Sequence, residues 1–190
     1  MTIRSFLAFP ISGILQEKLE QIIQALQTSC ADVKWVSPKN IHLTLKFLGE
    51  VPQEDLKTIS SLVRERCSGF HPVNSYLSGI GAFPDLRFPK IIWAALNDPN
   101  KEIQAMADAL QEDLGKIGLP KEDRPFKAHL TLGRLKSQVH IKNLLSTLQQ
   151  MDVVDKTQET LDRVILYKST LTTQGPIYEA LEEFKITRGC

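Results

Sequence analysis

Apolar positions along this chain change their period several times, and each change marks an element. Leu15, Leu19, Ile22, Ile23 and Leu26 recur at three- and four-residue spacing, which predicts a helix over 15–26. Leu56, Ile59, Leu62 and Val63 repeat the pattern, as do Ile103, Met106, Ala107 and Leu110, and a fourth helix is predicted over 141–148. Between the helices the pattern alternates. Strands are predicted over 4–10, 40–48, 73–82, 91–96, 129–135, 161–167 and 177–186, punctuated by Pro10, Gly49, Pro52 and the stretch through Phe83, Pro84 and Pro89. Strands and helices are mixed without strict β-α-β alternation, so the pattern predicts an α+β fold. The two halves echo each other, each running helix, strand, helix, strand. Ile41-His42-Leu43-Thr44-Leu45 in the first returns as Ala128-His129-Leu130-Thr131-Leu132 in the second. A repeat of that kind predicts duplication, with two similar lobes facing across a cleft.

Composition narrows the setting. Apolar residues make up 42% and charged residues 24%, as in an ordinary globular protein. No apolar run approaches the roughly 20 residues of a membrane helix. Residues 1–10 lack the long apolar region and small-residue cleavage site of a signal peptide, so a cytoplasmic protein is expected. Cys30, Cys67 and Cys190 are odd in number and far apart, which argues against a disulfide framework or a zinc knuckle. Cys190 stands last and does not fit a prenylation signal. A net charge of +1 argues against a grip on long nucleic acid through many phosphates. It leaves room for a pocket holding one phosphate at an RNA end.

The chemistry sits in the repeated His-Leu-Thr-Leu, whose histidines are 87 positions apart (129 − 42). Side chains two apart on a strand share a face. His42 and Thr44 therefore point one way, as do His129 and Thr131, while Leu43, Leu45, Leu130 and Leu132 anchor the strands in the core. A lone strand histidine is more often structural than catalytic. Packing alone, however, has no need of His and Thr at equivalent places in both halves, whereas a cleft with two proton-transfer groups does. Phosphodiester hydrolysis needs a base to take a proton from water and an acid to protonate the leaving oxygen. Histidine titrates near neutrality and serves as either. The Thr44 and Thr131 hydroxyls suit the non-bridging phosphate oxygens. Neither motif is accompanied by a cluster of metal ligands, so no metal and no other cofactor is expected. GxxxxGK[ST] and GxGxxG are both absent, which argues against triphosphate and dinucleotide cofactors.

Other residues receive plainer readings. His71 and His140 are expected at the surface. Phe47, Trp93 and Phe126 are near the motifs and able to stack on a base, but aromatics in alternating strands are expected in the core. Lys46 shares a face with His42 and Thr44 under strict alternation, which leaves it either adding positive potential to the cleft or solvated. Arg124 and Lys127 either meet an RNA backbone or keep their segment soluble.

At these residues the chain resembles the two-histidine (2H) phosphoesterase superfamily, and within it the RNA 2′,3′-cyclic phosphodiesterases, also called 2′-5′ RNA ligases. The likeness covers nearly the whole chain. It runs through Arg4-Ser5-Phe6-Leu7-Ala8-Phe9, Asn40 to Gly49, Gly81-Ala82-Phe83-Pro84 with Ile92-Trp93-Ala94, Arg124 to Arg134, and Tyr167-Lys168-Ser169 with Gly175 and Tyr178. Ala128 departs from the proline that many relatives carry. The resemblance implies a bilobal duplicated fold, two antiparallel sheets flanking a central cleft with helices outside, and residues 1–190 as one bilobal phosphoesterase domain. It implies hydrolysis of RNA 2′,3′-cyclic phosphate ends to 2′-phosphates, with His42 as general acid, His129 as general base, and Arg134 binding phosphate beside Thr44 and Thr131. Strict alternation puts Arg134 on the face opposite His129, so its role requires a bulge at Gly133 or an arginine bent around the strand end. The expected partners are RNA ends, among them tRNA fragments or cyclic nucleotides, with no membrane, and the chain is expected to be a monomer. Two competing readings share the motifs: ATP-independent 2′-5′ RNA ligation by the same acid–base pair, and a non-catalytic RNA-end or nucleotide-binding module.

Overall fold

The computed structural model describes residues 1–122, 124–173 and 175–187. Nine strands and four helices follow in the order β1 (Thr2–Pro10), α1 (Gly13–Gln27), β2 (Val33–Trp35), β3 (His42–Pro52), α2 (Leu56–Ser68), β4 (Val73–Phe83), β5 (Ile91–Leu96), α3 (Glu102–Lys116), β6 (His129–Leu135), α4 (Ile141–Gln150), β7 (Asp155–Leu161), β8 (Arg163–Leu171) and β9 (Pro176–Lys185). The α+β class and the four helices follow the hydrophobic periodicity. Two strands do not. β2 is only three residues long, and β7, Asp-Lys-Thr-Gln-Glu-Thr-Leu, carries almost no apolar signal because it is an edge strand with most of its side chains in solvent. Leu161 closes β7 and does not open β8.

The strands lie in the order β9-β8-β1-β3-β6-β5-β4-β7, with β2 also paired to β6, and every pairing is antiparallel. β3 and β6 meet at a single pair, Leu43 with Leu130. That pair joins a four-stranded half ending in β3 to a five-stranded half that contains β6 and its partner β2. Sequence repeat and lobe do not coincide. The β3 lobe takes β1 and β3 from the first half of the chain and β8 and β9 from the second, with α2 and α3 packed on it. The β6 lobe takes β2, β4 and β5 from the first half and β6 and β7 from the second. The helix α1 lies on this second lobe, where Lys18 pairs with Asp155 of β7 at 3.1 Å. The capping residue of α1, Ser12, donates from its backbone N (2.7 Å) and its Oγ (2.5 Å) to the buried Glu159 of β7. The helix N-terminus thereby satisfies a carboxylate that would otherwise be costly to bury.

One irregularity recurs at matching places. β3 bulges at Leu45, between the pairs Leu7–Lys46 and Ala8–Thr44. β6 bulges at Leu132, between Ile92–Gly133 and Trp93–Thr131. Each extra residue reverses the inward–outward alternation beyond it. Lys46 consequently turns away from the cleft into the lobe, only 1% exposed, and its Nζ donates to the Pro120 carbonyl at 2.7 Å and to Gln111 Oε1 at 3.5 Å. It is neither a cleft cation nor a solvated one. Burial lowers its pKa, opposed by nearby Glu122. Its counterpart in the second repeat is Gly133, where a Cβ would stand 2.6 Å from Val33 Cγ1 and 2.8 Å from Trp35 Cε3. Only a residue without a side chain lets β2 close on β6 there.

Gly133→Ala is expected to lower stability by about 1–3 kcal/mol, the usual cost of overpacking, through displacement of Val33 and Trp35. Urea unfolding checks this, and a midpoint equal to wild type would show that β2 yields without cost.

Candidate active site

The Leu43–Leu130 pair sets the register of the cleft. Antiparallel pairing about that point puts His42 across from Thr131 and Thr44 across from His129, all four on the face opposite the leucines. Leu43, Leu45, Leu130 and Leu132 are all buried, at 5% exposure or less, while the histidines and threonines are half-buried.

Each imidazole is oriented by the segment just before its own strand. His42 Nδ1 lies 2.8 Å from the Asn40 carbonyl, and His129 Nδ1 lies 2.7 Å from the Lys127 carbonyl. A carbonyl only accepts, so each Nδ1 carries a proton and donates it. This leaves Nε2 of both rings as the nitrogen available for proton transfer. Asn40 is itself held, its Nδ2 donating to the Pro176 carbonyl at the start of β9 (3.2 Å).

The surroundings of the two rings differ. His42 stacks on Phe6 (centroids 4.7 Å apart) and meets the edge of Tyr178 (5.2 Å), with Tyr167 at 6.1 Å. His129 has one aromatic neighbour, Phe83, edge-on at 5.0 Å. Burial therefore acts hardest on His42. It lowers the pKa to about 4, opposed by the Asn40 carbonyl and assisted by the charge of His129. Burial also lowers His129, opposed by the Lys127 carbonyl, with Arg134 adding to the depression. Burial raises the Tyr167 and Tyr178 phenols, which stay protonated.

The bulge at Leu132 resolves the position of Arg134. It brings the guanidinium round to the cleft, where it shares a cavity of about 930 Å³ with His42, Thr44 and Thr131. Phe47 occupies the equivalent place after the bulge at Leu45. It is 55% exposed at the cleft and not in the core as its strand pattern suggests. Trp93 and Phe126 are half-buried and line a smaller cavity of about 350 Å³ with Phe83 on the His129 side. His71, His140, Arg124 and Lys127 are exposed. Cys30 and Cys67 are free thiols, and Cys190 lies outside the described residues. Among the described residues no three His, Cys, Asp or Glu side chains gather as metal ligands, and no helix is long and apolar enough to cross a membrane.

Sequence reasoning overlooked the aromatic cage. Phe6, Tyr167 and Tyr178 come from β1, β8 and β9, and only tertiary pairing brings them to His42. The tyrosines stand on adjoining strands near the ends of a hairpin. That placement on a β8–β9 pair was the one signal in the sequence.

A two-lobed antiparallel α+β fold with an imidazole and a hydroxyl from each lobe defines a class, and comparison with known proteins gives the same one. The chain belongs to the LigT-like phosphoesterases of the 2H superfamily. The family model matches twice, over residues 10–93 and 96–178, and each span contains one of the histidines. A Methanothermobacter thermautotrophicus protein named RNA 2′,3′-cyclic phosphodiesterase is 31% identical over 186 residues, covering 98% of this chain and 100% of that protein. An Archaeoglobus fulgidus protein of the same name is 34% identical over 188 residues, covering 96% and 99%. Among solved structures, TT0787 of Thermus thermophilus superposes with a TM-score of 0.82 at 25% identity, covering 97% of this chain and 98% of that one. E. coli LigT complexed with 3′-AMP gives a TM-score of 0.79 at 24% identity, covering 99% and 100%.

Both histidines bind protons more readily in the unfolded chain than in the folded one. Their contribution to stability is thus complete above the ordinary histidine pKa of about 6.5 and is lost as pH falls toward about 4, where His42 titrates. His42→Asn is expected to flatten this slope. Urea midpoints between pH 4 and 7 check it, and an equally steep loss in the variant would show that burial of His42 is not its source. NMR titration of the ligand-free protein is expected to find both rings below 6.5.

Proposed function

We propose that the protein hydrolyses RNA 2′,3′-cyclic phosphate ends to 2′-phosphomonoesters with its two histidines as the acid–base pair and without a metal. The observation that carries this reading is the pair of imidazoles, each with Nδ1 committed to a carbonyl and Nε2 free, set on one face by the Leu43–Leu130 register, with Thr44, Thr131 and Arg134 lining the cavity beside His42. The names of the relatives supply the substrate. His129 Nε2 takes a proton from water as its oxygen attacks phosphorus. The P–O3′ bond breaks, and the departing 3′-oxygen takes the proton of His42 Nε2, leaving a 3′-hydroxyl and a 2′-phosphate. Thr44, Thr131 and Arg134 hold the non-bridging oxygens as charge builds on them. A 5′-hydroxyl in place of water gives 2′-5′ ligation through the same proton transfers, and water at its far higher concentration favours hydrolysis. Since one chain supplies both histidines, the site needs no second copy, and the protein acts as a monomer, here assigned to the cytoplasm.

General acid catalysis requires a charged His42, and burial opposes that in the empty cleft. The phosphodiester anion supplies the compensating charge, so the proton arrives with the substrate. The same depression favours a second reading with the roles exchanged, His42 as base and His129 as acid.

His42→Ala and His129→Ala are each expected to cut turnover by about 10² to 10⁴, Thr44→Ala and Thr131→Ala by less, and EDTA is expected to leave it unchanged. Near wild-type turnover in either histidine variant would exclude the two-histidine mechanism. Loss on chelation, restored by a single metal, would exclude metal independence. A substrate with an activated 3′ leaving group decides the roles: it rescues the variant lacking the acid and not the one lacking the base. The expected rescue is of His42→Ala, and rescue of His129→Ala establishes the exchanged assignment.

A further inference from the structure

The groove on the His42 side holds four cations, Arg4, Lys34, Lys39 and Arg134, and not one carboxylate is among the residues that line it. Among the described residues none of the four makes an ion pair. Arg64, Arg66, Lys116, Arg163 and Lys168, elsewhere on the surface, all do. On a chain of net charge +1 this is a local concentration that the total conceals. Four like charges lining one cavity repel each other, and an arrangement of that kind is stabilised when anions arrive together.

The cations follow a path. Lys34 of β2 is the cross-strand partner of Arg134 on β6, so the two side chains stand side by side on one face of the sheet. Lys39 lies further along the segment that joins β2 to β3, in the turn before Asn40 and His42. Both lysines are exposed. Phe47, exposed beside this path, offers an aromatic face to a base. A single terminal phosphate is already served by Arg134 and the threonines, which leaves Lys34 and Lys39 without an anion.

We infer that this groove is a binding site for the RNA strand upstream of the cyclic end, with Lys34 and Lys39 each neutralising one further backbone phosphate. The direction follows from chemistry. A 2′,3′-cyclic phosphate closes the 3′ end of its strand, so any additional phosphate lies on the 5′ side. This deepens the phosphodiesterase reading and rests on it for the identity of the strand. The preferred substrate is then an oligonucleotide and not a cyclic mononucleotide.

Two measurements keep the inference separate from that reading. Turnover of a 2′,3′-cyclic mononucleotide by the wild type tests the chemistry alone. Binding of a pentanucleotide ending in a 3′-phosphate, which cannot be hydrolysed by this reaction, tests the groove, with the corresponding 3′-mononucleotide as reference and fluorescence anisotropy as readout. The pentanucleotide is expected to bind more tightly. Its log affinity should fall more steeply with log salt, by about 0.7 for each of two added phosphate contacts, and each lysine replaced by alanine should remove one contact and weaken binding about fivefold at 0.1 M salt. Lys34→Ala/Lys39→Ala is expected to bring the pentanucleotide close to the mononucleotide while cyclic mononucleotide turnover persists. Equal affinity of the two ligands for the wild type, or a pentanucleotide affinity that neither lysine changes, would overturn the groove even if the phosphodiesterase activity stands. Tight pentanucleotide binding with no salt dependence would overturn it as well, since contacts other than phosphate would then hold the strand.

Discussion

A single backbone pair, Leu43 with Leu130, decides where both histidines and both threonines of the cleft stand. The leucines bury their side chains beneath the sheet, and the residues on either side of them are thereby fixed above it: His42 and Thr131 to one side, Thr44 and His129 to the other. A slip of one residue in that register would exchange imidazoles for leucines at the cleft. The two bulges then complete the floor. Beyond Leu132 the reversal turns Arg134 to the cleft, and beyond Leu45 it turns Phe47 to the same cleft while hiding Lys46 in the lobe. One device, used twice, gives a guanidinium in one lobe and an aromatic ring in the other. The pseudo-symmetric cleft is therefore chemically lopsided from the start.

That lopsidedness extends to the proton. Both rings are held, by carbonyls two residues upstream, in the tautomer that frees Nε2, so orientation is local and duplicated. Proton affinity is not duplicated. It depends on what distant strands bring to each ring, and β1, β8 and β9 surround His42 with aromatic carbon while His129 has a single such neighbour. Burial thus acts more strongly on His42 than on His129.

The sequence displayed the repeat, the four helices and the alternation that places His and Thr on one face, because those are short-range regularities. It displayed less where the chain departs from period. Under strict alternation Lys46 belongs at the cleft and Arg134 away from it, and the two bulges reverse both. A bulge leaves no mark in hydrophobic pattern beyond a glycine such as Gly133, and at Leu45 there is not even that. β7 escaped detection for a different reason, since an exposed edge strand has no buried face to impose a pattern. The cage of Phe6, Tyr167 and Tyr178 was invisible because its members are joined by pairings as long as Ser5 with Lys168. Net charge proved a poor guide to the groove, where sign is concentrated locally and cancelled elsewhere.

The threading of the two lobes has a consequence for how the molecule comes into being. Since each lobe mixes strands from both halves of the chain, no stretch of sequence folds into a lobe by itself. During synthesis β1 and β3 emerge early and bring Phe6 to His42, yet β1 has an open edge until β8 follows, and Tyr167 and Tyr178 complete the surroundings of His42 only with the last two strands. Contacts of such long sequence separation close late. The cage around His42 is therefore completed only with the last hairpin. A protein stalled or cleaved before β8 would present an unpaired strand along β1, which makes the segment from Arg163 onward the checkpoint for both solubility and activity.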